Sequence, residues 1–254
     1  MSARRILAGF HAVSARLRAA PDSIECIYAD ARRRDGRMQR LREQAATAGV
    51  EVVAADPGQL RALCGEAPHQ GVVAVAADIA QVLTLEDVLE AQRPDTLLLL
   101  LDSVTDPRNL GACLRVADAA GVDAVIVPRD RSAGMTPAAL KAAAGAAESV
   151  PLIEVTNLAR ALEAIEEAGI RAIGAAGEAD QSVFELDLTG PVAWVLGAEG
   201  AGLRRLTRER CAQLARIPLR GTVESLNVSV ATGICLFETV RQRLAEARRT
   251  DAVA

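Results

Sequence analysis

Two textures of apolar and polar positions follow one another along the chain. In the first 76 residues, short apolar runs alternate with charged, helix-spaced stretches. The spacing predicts an amphipathic helix over 11–20, a strand over 24–29 and, after the arginine-rich stretch 32–34, a helix over 38–48. Gly49 closes that helix, being the residue type that most readily takes a positive φ. Strands over 50–54 and 71–76 flank a short helix over 57–63. Residues 77–95 read as a linker with its own short helix, where Thr84 and Asp87 have the spacing of a capping box.

From Thr96 the pattern is cleaner. Residues 96–102, TLLLLLD, form an apolar run of the kind a parallel strand covered on both faces requires. Asp106 and Pro107 then open a helix that runs to Ala120 and stops at Gly121. Strands over 124–127, 152–155, 170–174, 192–196 and 214–217 alternate with helices over 137–144, 158–168, from 202, and over 228–245. Regular alternation with short loops predicts an α/β fold with a mostly parallel sheet and helices on both faces. The domains expected are 1–76, a linker at 77–95, and 96–254.

Composition narrows the class. Half of the 254 residues are hydrophobic and 24% are charged, enough to bury a core in a soluble globular protein. No apolar run reaches the roughly 18 residues of a membrane helix, and residues 1–13 lack the apolar segment of a secretory signal. The five cysteines stand far apart with no metal-ligand spacing, so we expect reduced thiols, no metal and a cytoplasmic location. The net charge of −4 and 2% aromatic content argue at first against nucleic acid. The charge is polarised, however: residues 1–42 hold ten arginines against four acids, whereas 43–106 hold two against eleven.

Chemistry is expected beyond the carboxyl ends of the parallel strands. Three such junctions stand out: DSVTDPRNLGACLR at 102–115, LGAEGAGLRRL at 196–206 and IPLRGTVESLNVSV at 217–230. Neither a dinucleotide fingerprint nor a phosphate-binding P-loop is present. The glycines instead cluster late, at Gly197, Gly200, Gly202 and Gly221, where they serve either close approach to a ligand or ordinary turns. Asn109 and Arg115 lie six apart on one helix and need not share a face. Glu199 sits on the glycine loop, and Ser225 or Asn227 is also placed to cap the last helix.

Taken together and in order, these segments resemble the three motifs of the SpoU (TrmH-type) RNA 2′-O-ribose methyltransferases of the SPOUT superfamily. The resemblance extends to GFHAV at 9–13, HQGVVA at 69–74, GAAESVPLIEVTNLAR at 145–160 and SLNVSVATGICLFETVRQR at 225–243, so it spans nearly the whole chain. It implies a SPOUT-type sheet tied in a deep trefoil knot, preceded by a small L30e-like α/β domain that binds RNA. Matching position by position, Asn109, Arg115, Glu199, Ser225 and Asn227 are the expected catalytic set. Gly197, Ile217 and Leu226 are expected to line an S-adenosylmethionine site, largely through main-chain groups. Arg32, Arg33, Arg34, Arg37, Arg40 and Arg42 are candidates for phosphate contact.

The activity so implied is S-adenosylmethionine-dependent 2′-O-methylation of a guanosine in the peptidyl-transferase P-loop of 23S rRNA. The substrate is either free rRNA or a large-subunit assembly intermediate, and the enzyme is expected to be a homodimer through its C-terminal domain, with no membrane partner. A tRNA guanosine 2′-O-methyltransferase and a non-catalytic RNA-binding assembly factor are the alternatives. The N-terminal domain and the HQG segment, at His69–Gly71, favour rRNA.

Overall fold

The computed structural model describes residues 4–65, 68–77, 83–198 and 200–253, the side chains of 251–253 excepted. By packing, the chain divides into two compact units, one of Met1–Gln81 with Ala144–Ser149 and one of Val82–Ala143 with Val150–Ala254.

The first unit has a four-stranded sheet in the order β1-β4-β2-β3, formed by β1 (Arg4–Ala8), β2 (Ile24–Asp30), β3 (Val52–Ala55) and β4 (Val72–Ala77). Strands β2 and β3 are parallel, and β4 runs antiparallel to both β1 and β2. Strand β1 escaped the pattern reading because RRILA is short, opens on two arginines and occupies a sheet edge. Helices α1 (Phe10–Ala19) and α2 (Gly36–Thr47) cover a core of Phe10, Val13, Leu17, Ile27, Met38 and Leu41. Asp35 caps α2 by accepting from the Arg37 and Met38 amides, while Asp56 and Gln59 form a capping box on α3 (Pro57–Cys64).

A buried ion pair completes this unit. Arg16, on α1, is 2% exposed and its Nε donates to Glu148 Oε2 at 2.9 Å. Its Nη1 reaches Ser23 Oγ and the Ala77 carbonyl, and Arg5 pairs with the other Glu148 oxygen at 2.9 Å. Gly145, with φ of 99°, lies against the His11 main chain, where an added Cβ would come within 2.6 Å of the carbonyl oxygen. Residues 144–149 thus bring both a carboxylate and a close main-chain approach to α1.

The second unit holds the expected parallel sheet. Its order is β10-β8-β9-β5-β6-β7, with β5 (Leu97–Asp102), β6 (Ala124–Pro128), β7 (Leu152–Val155), β8 (Arg171–Ala175), β9 (Val192–Gly197) and β10 (Gln213–Ala215). Every pairing is parallel. All five leucines of β5 are at most 1% exposed, as expected of a strand covered on both faces. Helices α4 (Leu85–Glu90), α5 (Pro107–Ala120), α6 (Pro137–Ala143), α7 (Leu158–Glu167), α8 (Arg205–Glu209) and α9 (Val228–Val253) complete the unit.

Local chemistry sets most boundaries. Thr84 and Asp87 make the capping box of α4, Asp106 caps α5 ahead of Pro107, and Gly121 ends α5 in the left-handed conformation at φ 73°. Gly111 lets α5 approach α6, since a Cβ there would lie 2.2 Å from the Ala139 carbonyl oxygen. Two boundaries differ from the pattern by more than two residues. Helix α8 begins at Arg205 rather than 202, because Gly202 closes back on Ala198 and Arg204 is spent on an ion pair described below. Helix α9 continues through residue 253, well past 245, on alanine, glutamate and arginine, all strong helix formers. Residues 78–82, within the expected linker, lie outside the described set.

Candidate active site

Three adjoining features of the second unit converge at the carboxyl end of its central strands. Asp102 ends β5 and pairs in register with Gly197, the last residue of β9. Gly197 has no room for a side chain: a Cβ would stand 2.1 Å from the Gly202 carbonyl carbon and 2.4 Å from the Leu203 amide nitrogen. The loop after β9 therefore folds straight back on its strand, and the Gly202 amide donates to the Ala198 carbonyl at 2.9 Å. Gly200 and Gly202 take φ of 78° and 64°. These glycines are required first by loop closure, the plainer of the two sequence readings; main-chain groups are exposed as a consequence. Gly221 has a negative φ and open space around it.

The first and third motifs meet through two asparagines. Asn109, in the first turn of α5, accepts at Oδ1 from Asn227 Nδ2 at 3.0 Å. Asn227 also caps α9, its Oδ1 accepting from the Ser229 amide at 2.9 Å and the Ser229 hydroxyl at 2.6 Å. Of its two sequence readings the cap is realised, through Oδ1, while Nδ2 of the same amide reaches Asn109. Helix α5 packs on α9 through buried Cys113 and Thr232, whose Sγ and Oγ1 are 3.5 Å apart.

The remaining expected residues are less tightly gathered. Ser225 is exposed and Leu226 half-buried just ahead of the α9 cap, and Ile217 is half-buried two residues after β10. Arg115 is exposed on α5, on a different face from Asn109, and makes no hydrogen bond or ion pair to the described residues. Glu199 lies outside the described residues. In the third segment Leu219 and Val223 are exposed apolar side chains, 38% and 60% accessible, in a loop otherwise suited to solvent.

Two residues that pattern reading passed over belong to the same corner. Asp102 is fully buried, yet its carboxylate accepts from the Arg204 amide at 2.9 Å, from Arg204 Nε at 2.5 Å and from Ser103 Oγ at 3.1 Å. Ser103, next in the chain, takes a left-handed φ of 65°. The signal was present in the sequence, as a carboxylate that ends an otherwise wholly apolar strand. Nearby, burial together with the Glu166 and Asp102 charges pushes the Cys211 thiol up to about 12, so it stays a protonated packing group. Burial does the same to Cys235. Among the described residues no group of three or more histidine, cysteine or acidic side chains is placed to hold a metal, and no helix is long and apolar enough to cross a membrane.

In the first unit the arginine cluster divides. Arg32, Arg34, Arg37, Arg40 and Arg42 are exposed. Arg33 is half-buried and engaged: it stacks over the Phe10 ring at 4.7 Å, pairs with Asp35 and donates to the Gln70 carbonyl. It braces the His69–Gly71 turn, where Gln70 has φ of 52° and the Gly71 amide donates to His69 Nδ1 at 3.1 Å.

The SpoU rRNA Methylase family matches residues 96–237, and the family described as RNA 2′-O ribose methyltransferase substrate binding matches residues 6–81. The 23S rRNA (guanosine-2′-O-)-methyltransferase RlmB of Burkholderia sp is 56% identical over 240 residues, covering 94% of this chain and 97% of that protein. Among solved structures, the SpoU methyltransferase AviRb from Streptomyces viridochromogenes, in complex with AdoMet, superposes with a TM-score of 0.71 at 27% identity, covering 95% of this chain and 91% of its own. The A. aeolicus TrmH/SpoU tRNA modifying enzyme superposes with a TM-score of 0.55 at 29% identity and covers 64% of this chain and 86% of its own. The chain belongs to the SpoU rRNA methylase family.

Proposed function

We propose that this protein transfers a methyl group from S-adenosylmethionine to the ribose 2′-hydroxyl of a guanosine in 23S rRNA. The observation that carries the substrate is coverage. The rRNA-modifying relative matches both units, whereas the tRNA-modifying structure leaves about a third of the chain unmatched. The unmatched share is close in size to the first unit, whose sequence fits an RNA-substrate-binding family and whose stretch 32–42 leaves five arginines exposed. In this reading residues 1–76 bind RNA, 77–95 connect, and 96–254 carry the chemistry. The knot expected of the family involves the segment from Ile217 to Asn227.

The second and third motifs fit the cofactor. The tightly closed loop after Gly197 presents main-chain groups, and Ile217, Leu219, Val223 and Leu226 offer apolar surface for an adenosine. When bound, S-adenosylmethionine supplies a methyl group on a sulfonium sulfur, which the ribose oxygen takes up. The chain's own residues then have to hold the hydroxyl in line and dispose of its proton. Arg115 cannot serve as the base, because a guanidinium does not give up its proton near neutral pH. Arg115 instead orients the hydroxyl and the flanking phosphate, and that phosphate or a water accepts the proton. Asn109, fixed by Asn227, positions the ribose, and Glu199 and Ser225 complete the set.

The working form is a homodimer in the cytoplasm. On α9, Val230, Phe237 and Leu244 are each about half exposed and stand seven residues apart, which keeps them on one helix face. A second copy covering this stripe would supply the partner groups that Arg115 lacks among the described residues. The test is a methyl-transfer assay with the purified protein on transcripts of the 23S rRNA P-loop region and of tRNA. The reading requires 2′-O-methylguanosine in the rRNA transcript; incorporation into tRNA alone overturns it.

A further inference from the structure

Burying a carboxylate is costly unless it is fully partnered, and Asp102 ends a strand whose every residue is buried. Its partner is unusual in using one residue twice. The main-chain amide of Arg204 binds one carboxylate oxygen and the Nε of the same residue binds the other. This chelation fixes the backbone, the side-chain stem and the plane of the guanidinium together. Within the described residues the Nη1 and Nη2 groups have no partner, and the Arg204 side chain is 39% exposed. The residue stands at the end of the closed loop of the second motif, on the strand end that also leads to Asn109.

A guanidinium held rigidly at its Nε edge and open at the other is a preorganised receptor for an oxyanion, since its remaining donors form a planar fork that has already lost its rotational freedom. The paired Asp102 charge reduces long-range attraction, so what the arrangement gains is orientation and hydrogen bonding rather than net charge. We propose that Arg204 is an anion-binding residue of the methyl-transfer site, with Asp102 as the positioning residue that aims it. This deepens the functional reading above and rests on it. The reaction brings two oxyanions to this corner: a phosphate of the substrate RNA and the carboxylate at the amino-acid end of the cofactor.

The test uses the full-length protein with Arg204→Met, Arg204→Lys and Asp102→Asn. Calorimetry measures S-adenosylhomocysteine, which has the carboxylate, and methylthioadenosine, which lacks it. Fluorescence anisotropy measures a 23S rRNA P-loop fragment across a salt series. If the anion is phosphate, Arg204→Met weakens RNA binding about 10- to 100-fold and flattens its salt dependence, with both nucleosides unchanged. If it is the carboxylate, the same variant weakens S-adenosylhomocysteine by a similar factor and leaves methylthioadenosine alone. Either result supports the proposal when Arg204→Lys, which lacks the fork, recovers only part of the loss and Asp102→Asn moves the same ligand in the same direction. Unchanged affinities, or a uniform fall in all three that tracks a lowered melting temperature, overturn it. A wild-type protein that binds neither RNA nor nucleoside defeats the functional reading instead.

Discussion

Asn227 Nδ2 donates to Asn109 Oδ1 at 3.0 Å, joining the first turn of α5 to the residue that caps α9. One amide therefore has two separable duties. Serine retains a capping oxygen but is too short to reach Asn109, so Asn227→Ser should hold stability within about 1 kcal/mol while lowering methyl transfer about 100-fold. Thermal unfolding and a single-turnover assay check both halves. A variant that loses stability and activity in proportion would reduce Asn227 to a helix cap.

Arg115 is exposed on α5 and has no hydrogen bond or ion pair to the described residues. If it orients the ribose and flanking phosphate, Arg115→Ala should cost methyl transfer on the order of 1000-fold or more. S-adenosylmethionine affinity by calorimetry should stay within about two-fold. Comparable loss of both would move Arg115 into the cofactor site.

The arginine cluster of the first unit should behave as two classes. Replacing Arg32, Arg34 and Arg37 together by alanine should reduce the slope of log affinity against log salt by up to about three. Arg33, already committed to Phe10, Asp35 and the Gln70 carbonyl, should leave that slope unchanged and lower the stability of the first unit instead. Salt-series binding together with thermal unfolding separates them; an Arg33 variant that flattens the slope contradicts the division.

Glu148 is the only acid paired with Arg16 among the described residues, and both side chains are under 5% exposed. Glu148→Gln strands a buried guanidinium and should destabilise by about 3–5 kcal/mol. Arg16→Met with Glu148→Met should cost much less, because the charge then left without Glu148 is that of Arg5, whose side chain is 35% exposed. Urea titrations of the three proteins test the difference, and equal losses would show that shape rather than charge governs the site.

Much of this architecture is written locally. Thr84 and Asp87 announce a helix start, Asp106-Pro107 another, Gly121 a stop, and the leucines of β5 a strand covered on both faces. What pattern reading could not supply are long-range relationships. Nothing near Glu148 marks Arg16 as its partner, 132 positions away, and nothing in the arginine run singles out Arg33 as a brace. The edge strand β1 was hidden because its short run begins with charges suited to an exposed edge. At the site, the residue types were legible from the three motifs, and the Asn109–Asn227 bond fits them. The Asp102–Arg204 chelate was missed because its members lie 102 residues apart and neither stood among the expected site residues.

The central claim is that this chain methylates a guanosine ribose of 23S rRNA. It is tested most directly by mapping 2′-O-methylation across 23S rRNA and tRNA from cells with and without the gene. The account predicts that one guanosine mark in the P-loop of 23S rRNA disappears with the gene and returns with the wild-type protein, not with Arg115→Ala. Loss of a mark on tRNA alone, with 23S rRNA unchanged, would contradict it.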